Sequence, residues 1–586
     1  TTGSERFPSW RARIFSTTSG SRSGVWWTDL LFMDRTVRRT RQVAIVSGRP
    51  LRLRFGLEPS CVKGHTLNVL ATDIYDIQQT LWAIADELRA NSNLSSSEYS
   101  TPVLGLIFLK FADDKFDEAR AELEGTGTGR RQVGPADYHA KKVLYLPHEA
   151  EFDTLLALPE AADIGQAISD AMRLIEEHNP DLDGVLPKDY QRFENKTLFE
   201  LLRAFDGIPS DLSGDAFGKI YEYFLGKFAM SEGKRGGQFF TPAPIVELIV
   251  RMIEPAGGTK ILDPACGSGG MFVQSARFVE QHREAAGDRI SIYGQEKTTE
   301  TVKLAKMNLA VHGLAGDIRE ANTYYEDSHD CVGEFDYVMA NPPFNVDKVD
   351  KARLEDDPRY PFGIPTANNA NYLWIQNFYS ALNDTGRAGF VMANSASDAR
   401  SSELEIRRQL IETRALSAII SVSTNFFYTV ALPVTLWFLD KGKATEEDWA
   451  DWTLFINAST IYTPVDRTHR EWTPAQMEFL TNIQRLYWQW EPTLEHDGTK
   501  ELLDEHFPDG TYTDVPGLCR YVHIDEIEEQ GWSLNPGRSV GVKVETIDEG
   551  VFKERMKRLS DEFHELTEVS SQLSVEIKRL IRAAID

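Results

Sequence analysis

Ile261-Leu262-Asp263-Pro264-Ala265-Cys266-Gly267-Ser268-Gly269-Gly270 is the stretch on which the fold turns. An apolar run ends at an acid, and a glycine-rich turn leads into a helical pattern. Glycines at that point let backbone approach a ligand closely at the mouth of a doubly wound sheet. A dinucleotide loop is one reading, but the G-x-G-x-x-G spacing is absent; a tight strand-to-helix turn is the bland one. Outward from this motif, short apolar runs alternate with helical patterns across residues 236–442, as in a parallel sheet covered on both faces. The strand candidates are Lys260–Leu262, Ile290–Tyr293, Phe335–Met339, Gly389–Ala393, Leu416–Val422 and Val434–Leu439. Val302, Ala305 and Leu309 share one helical face, and Gly313 ends that helix.

Two further motifs fall at strand ends. Tyr293-Gly294-Gln295-Glu296 sets an acid just past the second strand, where a carboxylate can accept hydrogen bonds from both ribose hydroxyls of a nucleoside. Asn341-Pro342-Pro343-Phe344 follows the run Phe335–Ala340. Two prolines fix the backbone and donate no N–H. Their carbonyls and the Asn341 oxygen are acceptors for the two hydrogens of an exocyclic amine, and Phe344 supplies a stacking face for its ring.

The other regions are read from pattern and charge. Residues 1–64 are basic and of low complexity, with eleven Arg, one Lys and four acids, and lack a core-forming period; they read as a transit peptide, a basic nucleic-acid arm or, the favoured reading, a dispensable extension. The whole chain carries −26, so the remaining residues hold −34. A body that acidic needs a local basic groove or a basic partner to hold nucleic acid. Ile74, Ile77, Leu81, Ile84 and Leu88 open a helical domain over 65–235, broken by Gly125–Gly134. Residues 443–549, rich in Trp, Tyr and acids, read as irregular. Phe552, Met556, Leu559, Phe563, Leu566, Leu573, Ile577 and Leu580 step by fours and threes across 550–586 once Ser570, the one polar intruder, is counted at its place; this coiled-coil-like seam asks for a helical partner or for this chain's own helical domain. No run is long and apolar enough to span a bilayer. The four cysteines form no C-x-x-C pair and the histidines no ligand-spaced cluster, which fits a reducing cytoplasm and no metal. Cys266 reads as a packing residue.

Taken together, the Asp263–Gly270 loop and the Asn341–Phe344 tetrapeptide resemble those of amino-group DNA methyltransferases. The closest fit is to the modification subunit of Type I restriction–modification systems. Gly236-Gly237-Gln238-Phe239-Phe240-Thr241-Pro242, Phe217-Gly218-Lys219-Ile220-Tyr221-Glu222-Tyr223 and Gly531-Trp532-Ser533-Leu534-Asn535-Pro536 extend the likeness over roughly 73–586. The resemblance implies an α/β fold: a helical N-terminal domain, a Rossmann-like, mostly parallel-sheet methyltransferase domain and a long C-terminal helix. It implies S-adenosylmethionine as methyl donor, with Gln238, Phe240, Thr241, Pro242, Asp263, Ala265, Gly267, Ser268, Gly269, Glu296 and Asn322 around it. Asn322 stands where the family usually has an acid. Asn341, Pro342, Pro343 and Phe344 become the catalytic tetrapeptide acting on adenine N6 of a flipped base in duplex DNA, with Phe427 a second stacking residue beside Phe426. The implied partners are a specificity subunit docked through 550–586, a second copy of this chain and, left open, a restriction/translocase subunit. Competing readings are a solitary adenine methyltransferase or one from another defence system, a protein-glutamine methyltransferase, and a non-catalytic scaffold.

Overall fold

In the computed structural model, the run Lys260–Asp263 is a strand, β1, whose Ile261 and Leu262 are fully buried on opposite faces of one sheet. The structure describes residues 66–542 apart from 92–93, 125–132, 160, 210–213, 233–240, 283–289, 367, 428–432 and 468; beyond 542 it describes 556–560, 563–564, 566–568, 570 and 573. Residues 1–64 form a unit of their own that lies outside the described residues, with the expectations made for it.

The strands follow in chain order: β2 Ser291–Glu296, β3 Gly316–Glu320, β4 Phe335–Ala340, β5 Leu382–Ala393, β6 Leu416–Val422, β7 Val434–Asp440 and β8 Trp452–Asn457. A two-stranded ladder, β9 Thr463–Pro464 with β10 Arg470–Glu471, stands apart, and β11 Cys519–His523 returns to the main sheet. The nine-stranded order is β3-β2-β1-β4-β5-β7-β6-β8-β11. Only β7 and β11 run against the rest. The strand order reverses between β1 and β4, so the crevice beyond their carboxyl ends is the place where such sheets bind ligands.

The mostly parallel sheet agrees with the expected class, and its extent corrects the sequence reading. The region read as irregular, 443–549, is regular in its described part up to 542. Leu454, Phe455 and Ile456 of β8 are fully buried, β11 pairs with β8, and the helix Pro474–Tyr487 covers the same core. Trp449, Tyr487, Tyr512 and Tyr521 of this region pack against one another, with Tyr487 buried. The strand β3 has no counterpart among the expected runs, because an edge strand with one neighbour needs only Ile318 buried.

Helices Ala243–Ile253, Gly270–His282 and Thr299–Val311 cover one face, with Asn371–Ala381 and Ser402–Glu412 on the other. The helices Ser96–Glu124, Ile164–His178, Asn195–Asp206 and Gly214–Glu232 enclose a separate apolar core. Helix Thr299–Val311 serves both: Val302, Ala305 and Leu309 face the sheet, while Met307 and Val311 are buried in the helical core. At the other end of the chain, Met556, Leu559, Phe563, Leu566 and Leu573 are exposed. Among the described residues, no helix is long and apolar enough to cross a membrane.

Candidate active site

The carboxyl ends of β1, β2 and β3 are joined into one rim. Asp263, 1% exposed at the end of β1, accepts a hydrogen bond from the Ala265 N–H at 2.9 Å. Burial drives its carboxyl well above the usual carboxylate range, and the neighbouring Glu296 charge adds to the rise. Gly267 (φ +51°) and Gly269 (φ +78°) take the left-handed backbone that favours glycine. A Cβ added at Gly267 meets no atom of the described residues within 4 Å, so among them the turn opens onto space rather than onto packing. Its N–H donates to Glu296 Oε2 at 3.3 Å, and the Cys266 N–H donates to the Gln295 carbonyl at 3.1 Å, stitching the turn to β2.

The segment after β3 closes the next side. Thr323 Oγ1 donates to the Pro264 carbonyl at 2.6 Å. Gln295 Nε2 donates to Thr323 Oγ1 at 3.0 Å and to the Glu326 carbonyl at 2.9 Å. The buried Arg359 guanidinium donates to the carbonyls of Thr323 (2.8 Å) and Glu326 (3.0 Å) and pairs with Asp357 at 2.6 Å. Half-buried Asn322 accepts from the Tyr324 N–H at 3.3 Å in this same turn. Gln295, Thr323 and Arg359 were not foreseen as site residues. The first two adjoin quoted positions, whereas nothing local marks Arg359, which works from a loop beyond β4.

Across the crevice, β4 ends at Ala340 and the tetrapeptide follows. Asn341 Nδ2 donates to Thr241 Oγ1 at 2.9 Å, joining segments 100 residues apart. Asn341 Oδ1 is shielded from solvent and has no hydrogen-bond partner among the described residues. Pro342 is buried, Pro343 half-buried, and half-buried Phe344 packs against the sheet core. The turn is held from behind by Asn371, whose amide exchanges two 2.9 Å hydrogen bonds with Asn345 (φ +54°).

The remaining expected residues are placed as follows. Pro242 caps the helix Ala243–Ile253, beside Thr241, while Gln238 and Phe240 lie outside the described residues. Phe427 follows β6 on the same sheet edge and is 5% exposed, adjoining the undescribed 428–432. Its neighbour Phe426 is fixed in the core, 4.4 Å from Trp472 between ring centres. Cys266 is buried, and burial raises its thiol far above the range where thiolate forms. Among the described residues no His, Cys, Asp and Glu cluster with metal-ligand geometry occurs.

This layout agrees with the similarity to known proteins. Residues 212–548 match the family model of the N-6 DNA Methylase, and residues 77–205 match the HsdM N-terminal domain. The chain belongs to the N-6 DNA methylase family. The methylase subunit of the Type I restriction enzyme MjaIX from Methanocaldococcus jannaschii is 36% identical over 536 residues, spanning 87% of this chain and 91% of the relative. The HindI methylase subunit of Haemophilus influenzae is 34% identical over 432 residues, 71% of this chain and 91% of the relative. The fold is shared with the Type I methyltransferase subunit of Streptococcus thermophilus, at a TM-score of 0.64 and 22% identity over 79% of this chain and 99% of that one. All the rim residues and the tetrapeptide fall inside the N-6 DNA methylase segment.

Proposed function

We propose that this chain methylates the N6 amine of an adenine flipped out of duplex DNA, acting as the modification subunit of a Type I complex. The observation that carries this is Asn341 Oδ1, a shielded acceptor at the end of β4 without a partner among the described residues. Burying such an oxygen unpaired costs about 1–3 kcal/mol, which a substrate N–H returns. Asn341 Oδ1 and the Pro342 carbonyl accept the two amine hydrogens and hold the nitrogen pyramidal, with its lone pair free. Phe344 and Phe427 stack on the base, at roughly 1–3 kcal/mol per contact against the cost of flipping.

The residues around Gly267 fit S-adenosylmethionine: an open left-handed turn for close approach, a carboxylate on β2 for ribose hydroxyls, and a buried Asp263 that an ammonium group would neutralise. When bound, it supplies a sulfonium methyl that leaves sulfur as the amine lone pair bonds to it. Thr241 orients Asn341, Glu296 and Asn322 hold the nucleoside end, and Pro242 completes the wall. The amine sheds its proton to solvent; no metal takes part.

Two observations support the partners. Outside residues 1–64 the chain carries −34, which favours a specificity subunit that brings its own DNA contacts. The exposed Met556, Leu559, Phe563, Leu566 and Leu573 are available to that subunit's helices, with two copies of this chain clasping them in the cytoplasm. The test is nucleoside analysis of duplex DNA after incubation with S-adenosylmethionine and the specificity subunit. N6-methyladenine is expected, lost on deleting 550–586 together with co-purification. Methylcytosine, or methyl found on protein glutamine, contradicts the reading.

A further inference from the structure

Asn308 lies on helix Thr299–Val311 between the row facing the sheet and the row buried in the helical core, and is 1% exposed. Its Nδ2 donates to the Ser268 carbonyl at 2.8 Å. Ser268 sits between Gly267 and Gly269, both left-handed, in a turn with no strand or helix to take that carbonyl. Asn308 Oδ1 is shielded and unpaired among the described residues. A buried amide that leaves its own oxygen unsatisfied is a poor stabiliser, and an apolar residue would pack the helix better. The amide therefore earns its place by what it does to the turn.

The same residue touches the helical domain through one neighbour. His312 Nδ1 lies 2.8 Å from the Asn308 carbonyl, and its Nε2 is 3.8 Å from Glu222 Oε1 on helix Gly214–Glu232. Gly218 of that helix packs so tightly that a Cβ there would lie 2.5 Å from His312 Nε2. Met307 and Val311, flanking Asn308, are buried among the helical domain's own side chains. Contacts thus run without a break from Gly218 through His312 and Asn308 to Ser268.

We propose that Asn308 is a positioning residue for the Gly267–Gly269 turn, and that through His312 it ties the shape of that turn to the seating of the helical domain. The proposal rests on the reading of this turn as the methyl-donor loop. Its consequence is that donor affinity reports on domain seating, so a partner or DNA that shifts the helical domain alters donor binding without touching the donor.

The experiment is calorimetric titration of the full chain with S-adenosylmethionine. Asn308→Ala and the isosteric Asn308→Asp, which when ionised has no N–H to give Ser268, are expected to weaken binding roughly tenfold. Leu309→Ala, on the same helix but facing the sheet, is expected to lower Tm at least as much and to leave affinity unchanged. Gly218→Ala is expected to weaken binding about threefold in the parent but not in the Asn308→Ala background, the signature of coupled sites. Asn308 variants that bind like the parent overturn the proposal. A Gly218→Ala effect that is absent, or equal in both backgrounds, overturns the tie to the helical domain. A folded parent that binds no S-adenosylmethionine overturns the donor-loop reading, and the proposal with it.

Discussion

The proposed donor rim and the proposed amine pocket share one sheet edge but are completed to different degrees. In the rim, Asp263, Gln295, Glu296 and Thr323 already have protein partners, so the wall is set before anything binds. In the pocket, Asn341 donates to Thr241 and keeps an oxygen unpaired among the described residues. A preformed wall lowers the ordering cost of binding, whereas an acceptor left unpaired gains its interaction only when the substrate amine arrives. Damage to the rim is therefore expected to change donor affinity, and damage to the pocket to change transfer.

The largest effect expected on the rim side comes from Gly267→Val. It places a branched side chain where a Cβ meets none of the described residues and strains the φ of +51°. Donor binding should fall about a hundredfold or more by calorimetry, ~3 kcal/mol; unchanged affinity in a folded variant would remove the rim from the account. On the pocket side, Phe344→Ala should slow methyl transfer by roughly tenfold or more through lost stacking, with donor affinity unchanged. A matching loss of donor affinity would erase the distinction between the two regions.

Smaller changes sharpen the contrast. Arg359→Met removes the clamp on the Thr323 and Glu326 carbonyls and should weaken the donor several-fold while costing about 2–3 kcal/mol of stability, since Asp357 loses its partner. Normal donor binding in that variant, despite a lower Tm, would make Arg359 structural only.

The smallest effect concerns Asp263. Its folded pKa is raised by burial above the unfolded value of about 3.9. Between those two values the native chain holds the extra proton, so stability falls as pH rises through that window and stays lower above it. Asp263→Asn keeps an acceptor for the Ala265 N–H without the buried charge. Tm of the donor-free chain at neutral pH should rise by about one or two degrees, and donor affinity should drop. A lower Tm would mean that Asp263 is stabilised by its surroundings rather than strained by them.

What was legible in the sequence follows the same division. Local signals carried β1, β4 and the glycine turn, because a buried strand with two covered faces must be a continuous apolar run. The strand β3 escaped because a single buried Ile318 leaves no run to see. The strands β8 and β11 escaped because their aromatic and acidic surroundings masked short buried segments such as Leu454–Phe455–Ile456. Asn341 was marked by its own tetrapeptide, but its bond to Thr241 joins positions 100 residues apart and is a product of topology alone. Arg359 and Asn308 act on the rim through backbone carbonyls, which carry no side-chain signature in the residues they hold.

The central claim is that Asn341 serves the substrate amine and not the donor. Asn341→Ala, prepared with the specificity subunit, separates the two by paired measurement of S-adenosylmethionine affinity and tritiated methyl incorporation into duplex DNA. Donor affinity is expected within about twofold of the parent, and transfer reduced by roughly 10²–10³ or more. Transfer near the parent rate, or a loss explained by donor affinity alone, contradicts that claim.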